Sequence, residues 1–419
     1  MSVQTADQAI ATPAAAAPFD AEAARKSAPV QMVLWTMCFL HFANDLLQSL
    51  MSAILPILKD NLHLDYAQTR LIVSVYMAFA SLIQPFVGMY TDKRPSPWAL
   101  STSMIATAAG VAMLTFAGTY QLVLLAAVFI GIGSAIFHPE GSRMTRLAGG
   151  NRPGVAQATF QVGGNFGQAS GPLLAAFVIV PFGQSGIGWF VLVALLAYVI
   201  MLMVGRWAAP RIHAQTRSAR ATSAEDNPYG LTRGRLIFLI TILLILMFSK
   251  SVYSVSLSTF YTFYLMEKFA IPLRDAQLYL FLFMGSVAAG VYFGGPIGDR
   301  IGRKYVIWIS ILGALPFTLI LPYANLMGSA VLTVIIGFIM SASMSQIMVY
   351  AMELAPRKVG VMSGLFFGFG FGIAGVAATA LGYLVDRTSL EFVYKVCSFL
   401  PLIGLATVFL PDLRKKYGN

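Results

Sequence analysis

The chain has 419 residues, of which 58% are hydrophobic and only 11% charged, and its mean hydropathy is +0.74. There is not enough polar surface in such a chain to cover a water-soluble domain, which excludes soluble enzymes and soluble binding modules. A net charge of +11 would suit a nucleic-acid binder, but the placement of the basic residues gives the charge another use.

Residues 1–30 are Ala-rich with scattered Pro and mixed charge. They lack the basic-then-apolar order of a cleaved signal peptide and are expected to form a disordered tail. From Met32 to Leu410 about twelve apolar stretches follow, each close to the ~20 residues that cross a hydrocarbon layer ~30 Å thick. They fall near 32–58, 66–91, 98–117, 120–138, 154–181, 185–207, 236–266, 276–298, 304–323, 326–353, 359–384 and 391–410. The expected class is therefore an all-α membrane protein of twelve transmembrane helices.

The first span carries His41, Asp45, Gln48 and Ser52 at spacings of four, three and four, so these share one helical face, with Asn44 beside it. A charge at bilayer depth costs at least ~2.5–3.5 kcal/mol, so that face is expected to turn to a cavity or partner rather than lipid. The fourth span ends near His138 and Glu140, where a gate, a substrate entry contact and a solvated helix end are all open readings. In the fifth span Gln157, Gln161, Asn165 and Gln168 form a polar face beside Gly163, Gly167 and Gly171. The seventh holds Lys250 ~20 Å along a helix starting near Leu236, with Tyr253, Leu257, Tyr261 and Tyr264 continuing its stripe. In the eleventh Gly360, Gly364, Gly368 and Gly372 recur every fourth residue, a smooth face that permits close backbone approach. Cys38 and Cys397 lie far apart without disulfide or metal spacing and are expected as buried free thiols.

With the N-terminus inside, 21 of the 28 basic residues fall on the cytoplasmic side. Five fall outside (Lys59, Arg70, Lys268, Arg274, Arg387) and two within spans (Lys250, Lys395). The positive-inside rule then places both termini in the cytoplasm and leaves no charge for nucleic acid to explain. Trp35, Trp98, Trp189 and Trp207 near the span ends agree with these boundaries. The chain also repeats itself. Gly88 and Asp92 recur as Gly295 and Asp299 at an offset of 207, and Gly163 and Gly167 recur as Gly368 and Gly372 at an offset of 205. Asp45 and Lys250, also 205 apart, are an acid and a base at matching depths of related helices. Two parallel, pseudo-symmetric six-helix halves, 31–207 and 236–413, joined by a basic cytoplasmic linker at 208–235 and followed by a tail at 414–419, account for these offsets.

At GGPIGDRIGRKYVIW (294–308) the chain resembles the major facilitator superfamily. A first-half copy, GMYTDKRPSPW (88–98), keeps Gly88 and Asp92 but lacks the Gly-Arg-Lys end. HFANDLLQSL (41–50), FHPEGSR (137–143), FQVGGNFG (160–167), FSK (248–250), YTFYL (261–265) and SGLFFGFGFG (363–372) narrow the resemblance to the bacterial fosmidomycin resistance proteins, drug efflux members of that superfamily. The similarity covers about residues 31–413. It implies the major facilitator fold and a cytoplasmic clasp between the halves built from Gly88, Asp92, Gly295, Asp299, Arg300, Gly302 and Arg303, with Arg143 and Arg357 as candidate partners. Each aspartate, placed just before a following helix, is suited to accept backbone hydrogen bonds at a helix N-terminus. An orientation signal alone would not need an aspartate at a fixed distance from a glycine.

The expected function is proton-driven efflux of small drugs, fosmidomycin among them, by alternating access in the bacterial inner membrane. Asp45, tuned by His41, is the expected protonation site. Lys250, Asn44, Gln48, Gln161, Asn165, Tyr253 and Tyr261 are the expected substrate contacts, with Lys250 reading an anionic group. Protons, a small molecule and the lipid bilayer are the expected partners of a monomer; no cofactor, metal or nucleic acid is expected. A major facilitator importer of a small anionic metabolite is the main alternative. A membrane-embedded enzyme has less support: three residues separate His41 from Asp45, one fewer than in an acyltransferase HxxxxD, and no GxxxxGK[ST] run is present.

Overall fold

The computed structural model describes residues 29–221 and 229–416, and every regular element among them is helical. In lipid there is no water to satisfy the backbone, so each crossing segment closes its own hydrogen bonds as a helix. The N-terminal half comprises α1 (Gln31–Asn61), α2 (Tyr66–Leu82 continued by Gln84–Lys93), α3 (Ala99–Thr115), α4 (Tyr120–Ala148), α5 (Pro153–Ala169, continued in short turns to Phe182) and α6 (Trp189–Ala221). The C-terminal half comprises α7 (Arg233–Phe269), α8 (Leu273–Ile301), α9 (Arg303–Tyr323), α10 (Leu326–Leu354), α11 (Val359–Arg387) and α12 (Leu390–Phe409). Ten of these are long and apolar enough to cross a membrane. The eleventh is α3, with 17 residues, and the twelfth is the interrupted α5.

Two boundaries differ from the sequence expectation, both because proline is tolerated inside a membrane helix. The fourth span does not end at 138: α4 runs through Pro139 to Ala148, which moves His138 and Glu140 from a helix end into the buried interior. Likewise α6 runs through Pro210 to Ala221, so the first part of the expected linker is helical. There Arg211 donates to the Trp207 carbonyl at 2.7 Å and lies 4.4 Å from that indole ring. Residues 1–28 of the expected tail, 222–228 of the linker and 417–419 lie outside the described residues. Both cysteines are free, but Cys38 is only half-buried.

The halves meet along two matched pairs, α2 with α11 and α8 with α5, while α4 also reaches α11. The two glycine stripes are used differently. A Cβ on Gly163, Gly167 or Gly171 would strike α1 at Cys38, Phe42 or Ser49, so the α5 stripe packs within its own half. On Gly360, Gly364 or Gly368 it would strike α2 at Gly88, Gln84 or Ser81, so the α11 stripe lies between halves.

Candidate functional site

Asp45 lies fourteen residues into α1, ~21 Å along it at 1.5 Å per residue, and is 1% exposed. Asn44 Nδ2 donates to its Oδ1 at 2.9 Å and Gln48 Nε2 at 3.4 Å; Gln168 Nε2 of α5 donates to Oδ2 at 2.9 Å. Gln48 is fixed in turn, its Oε1 accepting from Tyr76 at 2.6 Å and Ser134 at 3.1 Å. Two imidazoles complete the group. His41 Nε2 stands 3.6 Å from Oδ2, and His138 Nε2, from α4, 3.5 Å from Oδ1.

Both rings present the same nitrogen because backbone carbonyls hold the other. His41 Nδ1 is 2.7 Å from the Phe160 oxygen and His138 Nδ1 is 2.9 Å from the Ser134 oxygen. A carbonyl only accepts, so each Nδ1 carries a hydrogen, and in the neutral ring Nε2 is a lone pair facing the carboxylate. The ligand atoms of His41, Asp45 and His138 lie within 4.8 Å of one another, the one such trio among the described residues. Aromatic rings seal the group: Phe160 stacks on His41 at 4.0 Å, and Phe367 and Phe371 of α11 lie 4.9 and 5.0 Å from His138.

Lys250 is in the middle of α7, buried, with its Nζ 3.2 Å from Met344 Sδ of α10. No carboxylate among the described residues comes within 4 Å of it. The Asp45–Lys250 ion pair suggested by matched depth is therefore not formed, because Asp45 is satisfied inside its own half. Asn44 and Gln48, expected to contact substrate, are likewise spent on Asp45. Gln161 is buried with its amide nitrogen unpartnered, and Asn165 is half-buried. Tyr261 donates to Ser329 O and meets Thr333 Oγ1 inside the C-terminal half, and Tyr253 packs in the same apolar cluster with its hydroxyl unpartnered. Those two tyrosines are core residues in this conformation rather than open contacts.

At the basic end Asp92 Oδ1 and Oδ2 accept from the N–H groups of Gly360 (2.9 Å) and Val361 (2.8 Å), the first turn of α11. Asp299 accepts from Gly154 and Val155, the first turn of α5, both at 2.9 Å. Each aspartate therefore caps a helix of the opposite half instead of the helix that follows it in sequence. Arg143 Nη2 reaches Asp92 at 2.6 Å, and its Nε is 3.5 Å from the fully buried Glu140. On the other side Arg303 lies 3.2 Å from Asp299 and 2.9 Å from Glu353. Gly88 and Gly295 stand where the backbones cross, against Gly360 and Gly154, and Gly302 takes φ +99° as α9 begins. Arg300 is exposed and joins none of these contacts.

Two six-helix halves, clasped at one end around a buried polar centre, define a multi-pass membrane transporter. The chain belongs to the Major Facilitator Superfamily, whose profile matches residues 37–379. It is 51% identical to the fosmidomycin resistance protein of Escherichia coli (strain K12), across 92% of this chain and 94% of that one. It is 38% identical to the uncharacterized MFS-type transporter YfnC of Bacillus subtilis (strain 168), across 96% and 98%. Among solved structures, the transporter FucP in its outward conformation superposes with a TM-score of 0.69 over 90% of this chain and 98% of that one, at 16% identity. At that identity the match speaks for the fold alone.

Proposed function

We propose that the protein exports small anionic drugs, fosmidomycin included, in exchange for protons. It works as a monomer in the bacterial inner membrane with its basic end and both termini in the cytoplasm. The halves 31–207 and 236–413 rock about a central cavity, and the clasp closes the cytoplasmic side. The observation that carries this reading is the buried ammonium of Lys250 with no acid of the described residues beside it. An ammonium at that depth costs at least ~2.5–3.5 kcal/mol, and an incoming phosphonate supplies the missing charge. The likeness to the Escherichia coli fosmidomycin resistance protein supports the same substrate class.

Asp45 holds the proton. Because Asp45 is held within its own half and Lys250 lies apart from it, a proton and a drug do not compete for one atom, and the exchange is carried by helix movement. Uptake of a small anion is the second reading, since Lys250 serves either direction and a relative at 21% identity over 41% of this chain is named a probable nitrate transporter. Inverted vesicles with an imposed pH gradient decide. Fosmidomycin accumulation driven by an acidic lumen supports export, and accumulation only in right-side-out vesicles supports import.

A further inference from the structure

We infer that His138 is a second seat of the coupling proton, shared with Asp45, and that α11 reads its charge through Phe367 and Phe371. This rests on the proton-coupled reading above and assigns it an atom. His138 is fully buried, its Nδ1 hydrogen is committed to Ser134 O, and its Nε2 has no hydrogen-bond partner although Asp45 Oδ1 is 3.5 Å away. A lone pair facing a carboxylate in a buried site is repulsive, and a proton between the two atoms turns the contact into a charge-assisted hydrogen bond. Both carboxylate oxygens already accept, Oδ1 from Asn44 and Gln48 and Oδ2 from Gln168, and the two rings differ in that only His138 Nε2 is fully enclosed without a partner.

Among the described residues the ionisable groups that meet this ring are Asp45 and His41. Asp45 and His41 face it from α1, Tyr76 of α2 acts only through Gln48, α5 offers the neutral Gln168, and α11 offers two phenyl rings. Gln168, which holds Oδ2, is exposed, and the proton, taken from water, forms an N–H bond at Nε2 or an O–H bond at Oδ1 and returns to water. An imidazolium attracts aromatic rings within ~6 Å more strongly than neutral imidazole does, and both α11 rings lie inside that range. The same helix has its first turn held by Asp92. Protonation in one half therefore changes the hold on a helix of the other.

The chain has only four histidines, so full-length protein labelled with ¹⁵N-histidine in nanodiscs gives four resolvable imidazoles. His138→Gln and, as a second variant, His138→Asn assign the signal. The expected result is a His138 Nε2 that passes from protonated to lone-pair type as pH rises, with the transition displaced in Asp45→Asn. Spin-label distances across the basic end should also follow that transition in wild type and lose it in Phe367→Leu/Phe371→Leu. A His138 Nε2 that stays a lone pair at every pH, or a transition unchanged in Asp45→Asn, overturns the shared seat. Distances that still follow pH in the double leucine variant overturn the role of α11. Absence of pH-driven transport by the wild type in vesicles alongside a titrating His138 would instead sink the proton-coupled reading, leaving the proton shared between His138 and Asp45 but removing its role in coupling.

Discussion

Asp92 and Asp299, 207 positions apart in the chain, accept the same pair of backbone hydrogen bonds from the first turn of a helix in each other's half. Each carboxylate meets two N–H groups that no helix can satisfy internally, at the positive end of the helix dipole. The contacts run in opposite directions across one interface, so separating the halves at this end breaks both together.

Asp299→Asn, and equally Asp92→Asn, should open the basic end. The amide keeps one acceptor oxygen but loses the charge and the second acceptor, a loss of ~1.5–3 kcal/mol for a charge-assisted contact. That is roughly a ten- to hundred-fold shift of the closed population. Distances between labels on the basic ends of the two halves should lengthen in each variant and further in the double variant. An unchanged distribution would count against the clasp.

Gly88→Ala should act like loss of Asp92 without touching a charge. Its new methyl group meets the Gly360 carbonyl and the Val361 nitrogen, backbone atoms that cannot rotate away. Gly375→Ala, on the same α11, meets nothing within 4 Å and is the control. The same label distances check this: lengthening in the first variant and none in the second is expected, and equal behaviour would remove close packing from the closing mechanism.

The crossing helices were legible because apolar runs of membrane length and a repeated glycine spacing are local signals. Asp45 and Lys250 were legible as charges at bilayer depth. Their partners were not, since nothing in one helix says which neighbour it faces. His138 was hidden by Pro139, which marks an end in a soluble helix but sits inside α4 here. Its pairing with Asp45 depends on how α4 packs on α1, a tertiary fact. Arg303 was visible in the loop signature, yet only the fold separates its grip on Asp299 and Glu353 from the exposed Arg300.

Asp45→Asn should abolish gradient-driven transport while leaving a folded protein that binds substrate. The introduced amide nitrogen can donate to one of the two Nε2 lone pairs, of His41 or of His138, while its oxygen still accepts on the other side, so packing survives, but it cannot titrate. The variant should resemble the protonated wild type at every pH. Reconstituted vesicles check it, and wild-type rates under a pH gradient would rule Asp45 out.

Lys250→Met should lower affinity for a phosphonate by more than for any uncharged transported compound. The lysine touches the Met344 sulfur and, among the described residues, no acid within 4 Å, so the substitution strands no counter-charge there. A thioether there extends an existing apolar contact, and stability should hold, unlike the loss of one member of a buried ion pair. What disappears is the charge-assisted bond to the incoming anion, ~1.5–3 kcal/mol or about ten- to hundred-fold in affinity. Lys250→Arg keeps the charge on a bulkier, planar head and should retain part of the binding. The measurement is binding of fosmidomycin and of a neutral substrate to purified wild type and both variants. Equal losses for the two ligands would mean that Lys250 holds the fold or the gate rather than reading substrate charge.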